Sequence, residues 1–239
     1  MFSKTAFPRQ PAERLKEMNY KRISLLCGHY GSGKTNVAVN MALDMKKKNP
    51  DGRIAIADLD IVNPYFRTKD SSELFEKEDI RLICSPFANT NLDAPALPAE
   101  MYAIVDDKTL QCVVDVGGDD AGAVALGRLT PAIREENDYD MFLVINKYRP
   151  LTPDAQSVEQ IRREIEVASG LKFTAVINNS NLAAGTTAED VLNSVSFARE
   201  VSKLTGLPLA ATTADKNLIG ELSGKIDDLF PLMLQRRPV

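Results

Sequence analysis

The residues best placed to do chemistry are Gly28-His29-Tyr30-Gly31-Ser32-Gly33-Lys34-Thr35, directly behind the apolar run Leu25-Leu26-Cys27. Glycines at this G-x-x-x-x-G-K-T spacing let the backbone wrap an anion, and a helix starting at the last of them adds its positive end. Such a loop suits phosphates. Lys34 would reach the β- and γ-phosphates of a nucleotide, the Thr35 hydroxyl would bind Mg²⁺, and Asn36 follows on the helix. A glycine-rich strand-to-helix turn that binds nothing is the plainer alternative. The strand before and the helix after are both present, which favours the phosphate reading.

Two acidic clusters could complete the chemistry. Asp58 and Asp60 lie two apart at the end of the second apolar run, hence on one face of an extended segment and at the edge where open α/β sheets bind ligands. They could hold Mg²⁺ through water or orient an attacking water, with Asp60 as the orienting carboxylate and Asp58 behind it. Solvated turn aspartates are the alternative. Asp115 closes another apolar run, Val113-Val114-Asp115-Val116-Gly117-Gly118-Asp119-Asp120. It reads as a carboxylate that contacts Mg²⁺ indirectly, and the glycines after it could offer an N–H to the γ-phosphate. A helix-capping aspartate is the competing role, which Asp119 or Asp120 fits better than Asp115.

These groups must be held by a scaffold, and its pattern is clear. Short apolar runs at 22–28, 53–60, 81–87, 111–117, 141–146, 172–179 and 207–213 read as strands covered on both faces. Helices are expected over 33–48, 121–136, 153–169 and 188–205. Val37, Met41 and Met45 form the buried face of the first; Thr152 would cap the third, with Pro153 in its first turn. Repeated β-α-β order predicts a doubly wound, mostly parallel α/β sheet of about seven strands with helices on both faces. One nucleotide-binding domain over 1–239 is expected, with an N-terminal extension at 1–20 and a C-terminal helix at 216–239.

Composition sets the outer bounds. The chain of 239 residues carries 29 basic and 33 acidic residues, a net charge of −4 that argues against charge-driven nucleic-acid binding. No apolar window is long enough to span a membrane. Cys27, Cys84 and Cys112 each sit in an apolar run, as reduced buried thiols of a cytoplasmic protein would.

Taken together, the phosphate loop, Asp58–Pro64 (D-L-D-I-x-x-P) and Asp115–Gly118 resemble the MinD/ParA/Mrp-type P-loop ATPases. That group includes the nitrogenase iron protein and dethiobiotin synthetase. The resemblance implies a P-loop NTPase fold, ATP and Mg²⁺ as cofactors, and metal contacts from Thr35, Asp60 and Asp115. It also implies purine recognition by an asparagine at the sixth strand's end, where Asn179 is the first candidate and Asn178 the second. Members that form an ATP-sandwiched homodimer carry a lysine in K-G-G-x-G-K-[ST]. Here His29 holds that place and Tyr30 the next, and a neutral imidazole is a weaker partner for phosphate across a dimer interface.

Four other features bear on function. Lys147, in N-K-Y-R-P, would face the same cleft; the run suggests a guanine-reading N-K-x-D but lacks its aspartate. Arg67 could steady a phosphate or a partner, though a solvated arginine is the plainer reading. Leu222, Ile226, Leu229, Phe230 and Met233 fall on one helical face, yet Pro231 and Asp227-Asp228 argue for docking on the sheet over membrane binding. The irregular segment 89–108 could form a partner or substrate surface. The reading is therefore a slow regulatory or assembly ATPase whose nucleotide state controls a protein partner. The alternative is an ATP-dependent synthetase acting on a small acid, and a small-molecule kinase lacks an arginine-rich lid.

Overall fold

The computed structural model describes residues 18–59, 72–84, 99–118 and 120–234. The side chains of Asp60 and Arg67 and the segments 1–17 and 85–98 lie outside that set. Eight strands form one sheet: β1 (Ile23–Cys27), β2 (Arg53–Leu59), β3 (Ile80–Cys84), β4 (Leu110–Val116), β5 (Tyr139–Ile145), β6 (Ala175–Asn178), β7 (Leu209–Asp215) and β8 (Leu229–Leu232). Their order is β3-β2-β4-β1-β5-β6-β7-β8, and every neighbouring pair is parallel. The strands are buried almost throughout because helices cover both faces, which is why they are continuously apolar in sequence.

Alternation along β1 shows the two layers. Leu26 packs with Val37 and Met41 of α1 (Lys34–Lys48). Ile23 and Leu25 pack on the opposite side with Ala125, Leu126, Val158 and Ala198. These come from α4 (Asp120–Gly127), α6 (Ala155–Ser169) and α7 (Ala188–Thr205). The smaller helices are α2 (Ser72–Lys77), α3 (Ala103–Asp106), α5 (Thr130–Glu136) and α8 (Ile219–Leu222). Thr187 and Asp190 form a reciprocal capping box at the start of α7, and Gly206, left-handed at φ 73°, ends it.

Three local expectations are corrected. The helix expected over 121–136 is two, α4 and α5. They break at 128–129, and the Thr130 hydroxyl donates to the Ser169 carbonyl (2.6 Å) where Pro131 enters the first turn of α5. The cap of α6 is Asp154, not Thr152, its carboxylate accepting from the Ser157 N–H (2.8 Å), so Pro153 lies outside the helix. The C-terminal helix is replaced by the single turn α8 and the eighth strand. β8 pairs with β7 in the register Thr212↔Leu229 to Asp215↔Leu232, and Pro231 is tolerated because β8 is an edge. The apolar residues read as one helical face are in fact divided. Leu222, Ile226 and Leu229 pack with Val191, whereas Phe230 and Leu232 join the layer beneath α1. Among the described residues no helix is long and apolar enough to cross a membrane.

The sheet order places β1 between β4 and β5, so the chain runs outward on either side of it. In open α/β sheets the crevice at the carboxyl end of such a reversal is where ligands bind. The ends of β1, β2, β4, β5 and β6 all meet there.

Candidate nucleotide site

The loop after β1 turns through Gly28 (φ 149°), Gly31 (φ 77°) and Gly33 (φ 85°), all positive. Gly33 is the N-cap of α1 and supplies no side-chain cap, which leaves first-turn N–H groups to a ligand. Lys34 is buried, and its ammonium donates to the carbonyls of Gly28 (3.1 Å) and His29 (3.3 Å), closing the loop on itself. Gly118, after β4, packs so closely that a Cβ there would lie 2.7 Å from Tyr30 N and 2.9 Å from Lys34 Nζ. Ser32 is buried, and its hydroxyl has no partner among the described residues. His29 is half-buried with Nδ1 3.0 Å from the Tyr30 carbonyl, and Tyr30 is exposed.

Asp58 and Asp115 are direct neighbours on β2 and β4, so both carboxylates emerge on the α1 side of the sheet. Both are buried. The Thr35 hydroxyl donates to Asp115 Oδ2 at 2.5 Å. A buried hydroxyl and carboxylate in contact, with a second carboxylate one strand away, form an all-oxygen donor set of the kind Mg²⁺ takes. Asp60 falls outside the described residues, as does Asp119. Beside this set, burial pushes the Cys27 thiol up to about 12, so it stays protonated and is no nucleophile.

The two asparagines proposed to read a purine are both engaged in bracing the loops. The Asn178 amide donates to Ser194 of α7 (2.9 Å), and its Oδ1 accepts from the Ser180 N–H and hydroxyl. Asn178 therefore makes an asparagine turn at the start of the loop after β6. The Asn179 amide donates to the Ser32 carbonyl (2.7 Å) and accepts from the Thr213 hydroxyl (2.6 Å), pinning the phosphate loop to β6 and β7. Asn179→Ala should break two buried hydrogen bonds, at about 1–2 kcal/mol each. Urea unfolding should show about 2–4 kcal/mol lost; a change below about 0.5 kcal/mol would mean the amide is no brace.

Lys147 does not face the cleft as expected: its ammonium donates to the Asn193 carbonyl of α7 (2.9 Å). Asn146 takes a bracing role in its place, accepting from the N–H groups of Tyr148 and Asn181. Arg149 also reaches the loop at Gly31, and Thr213 supports it through Asn179; neither was identified from the sequence, since nothing local marks contacts made between distant parts of the chain.

No family model and no curated protein matches the chain. Solved structures do. FtsY from Mycoplasma mycoides aligns at a TM-score of 0.50 and 18% identity, over 90% of this chain and 64% of that one. Chloroplast FtsY from Physcomitrella patens aligns at 0.56 and 15%, over 92% and 64%. FlhF complexed with GTP/Mg²⁺ aligns at 0.53 and 16%, over 86% and 70%. The chain thus spans about 64% of the FtsY chains it resembles. At such identities the likeness shows the fold, and the fold is that of the α/β P-loop nucleoside triphosphatases.

Proposed function

We propose that this protein binds Mg²⁺-ATP and hydrolyses it slowly, as a cytoplasmic regulatory or assembly ATPase of the MinD/Mrp type. The observation that carries the reading is the convergence of Lys34, Thr35 and Asp115 at one loop, with the Thr35–Asp115 hydrogen bond at 2.5 Å. Lys34 would contact the β- and γ-phosphates, and the loop N–H groups would hold their oxygens. Thr35 and Asp115 would hold Mg²⁺, which when bound would neutralise charge on the β- and γ-phosphates. Asp60 would orient the attacking water with Asp58 behind it. Gly118 lies against the loop, a position from which nucleotide state could pass to a protein partner.

Adenine is favoured by the chemistry at the strand ends. Guanine presents two adjacent donors and is read by a carboxylate, and the N-K-Y-R-P run that follows β5 lacks the aspartate of a guanine-reading N-K-x-D. Calorimetry with Mg²⁺ should show ATP binding more tightly than GTP by about tenfold, roughly 1.4 kcal/mol. GTP binding alone would replace the adenine reading, and binding of neither would overturn the function. Asp60→Ala should keep ATP affinity and lose turnover; unchanged hydrolysis would remove Asp60 from the mechanism. Hydrolysis that begins only on adding a small acid would favour the synthetase alternative. Size exclusion with a non-hydrolysable ATP analogue tests for a homodimer.

A further inference from the structure

The loop lacks a second cation at His29, yet the fold brings one in from elsewhere. Arg149 lies over Gly31: a Cβ built there would stand 3.5 Å from Arg149 Nε and 3.8 Å from Cζ. Arg149 Nε is buried and has no hydrogen-bond partner among the described residues. A guanidinium nitrogen withdrawn from water without a partner is unfavourable and calls for an anion or acceptor beside it. The arginine's backbone is fixed by a turn, with its N–H donating to the Asn146 carbonyl (3.2 Å) and its own carbonyl accepting from Thr152 N–H (3.1 Å). Its two neighbours turn the other way, since Lys147 Nζ and the Tyr148 hydroxyl donate to the α7 carbonyls of Asn193 and Asp190. Arg149 alone of the three is directed at the phosphate loop. Across that loop the buried Ser32 hydroxyl also has no partner among the described residues.

We propose that Arg149 is a phosphate-contact residue, supplied in cis from the end of β5 to an oxyanion held by the loop. This rests on the nucleotide reading above. It gives a single chain a second cation beside Lys34, so that phosphate charge is met without a lysine from another copy. A guanidinium also forms paired hydrogen bonds to phosphate oxygens that an ammonium cannot.

Calorimetry of Mg²⁺-ATP with wild type, Arg149→Ala and Arg149→Lys, at low and high salt, tests the assignment. The alanine variant should bind about tenfold to a hundredfold more weakly at low salt. Its affinity should also depend less on salt, and lysine should restore part of the loss. Thermal melting without nucleotide should be unchanged. Wild-type affinity and salt dependence in Arg149→Ala would overturn Arg149 while leaving the nucleotide site standing. Weaker binding with a lowered melting temperature and an unchanged salt dependence would make Arg149 a brace of Gly31, which also overturns the proposal. Wild type that binds no ATP removes the site and the proposal with it.

Discussion

Lys34→Ala is expected to abolish measurable nucleotide binding while leaving the protein folded. The ammonium is buried, held by the carbonyls of Gly28 and His29 and covered by Gly118, so it already stands inside the loop. Two contributions disappear with it: the charge that meets the phosphates and the bonds that close the loop. A charge-assisted contact of this kind is worth about 1.5–3 kcal/mol, and two of them together give a loss of more than a hundredfold in affinity. The Gly28 carbonyl left behind is buried and that of His29 part-buried, so the stability cost should be about 1–3 kcal/mol. Calorimetry beside a urea titration separates the two effects. Retained ATP affinity in Lys34→Ala would mean that the nucleotide does not use this loop. Arginine should not rescue, because a Cβ at Gly118 would already come within 2.9 Å of Nζ and the larger head has no room there.

Gly28→Ala should be the most damaging single methyl group added to the fold. At φ 149° an L-residue is strained, and the new Cβ would strike the Val144 carbonyl of β5 and come within 3.4 Å of Ser32 Oγ. Val144 is itself part of the β5–β6 ladder, opposite Ile177, so the obstacle is backbone and does not yield as a side chain would. Strain and overpacking together cost about 3–5 kcal/mol. For a chain of this size that lowers the melting temperature by roughly 6–15 °C, with nucleotide binding lost in parallel. Gly220→Ala, where nothing lies within 4 Å of the added carbon, is the control. It should leave stability within about 0.5 kcal/mol of wild type. Equal melting of the two variants would show that β1 and β5 do not hold the loop as described.

Much of the architecture could be read from the sequence because its causes are local. The apolar runs and the helical patterns of 33–48 and 188–205 set β1, α1 and α7 within a residue or two. The errors fell where a distant partner decided the outcome. Leu229–Leu232 becomes a strand because β7 offers an unpaired edge, and Asn40 of α1 bonds to the backbone of Met233 at its end. A helical spacing of apolar residues cannot report that competition.

The same division runs through the site. The sequence by itself determined the phosphate loop, since glycine freedom, a lysine and a hydroxyl at fixed spacing act within one turn of chain. It also determined that Asp58 and Asp115 end strands. Only the tertiary structure decided that these carboxylates stand side by side, because that depends on β4 inserting between β2 and β1. It likewise turned Asn179 into a clasp on the Ser32 carbonyl, sent Lys147 to α7 and set Arg149 over Gly31. Each of those outcomes is a pairing between residues far apart in the chain, and such pairings arise from strand order, which no short stretch of sequence contains.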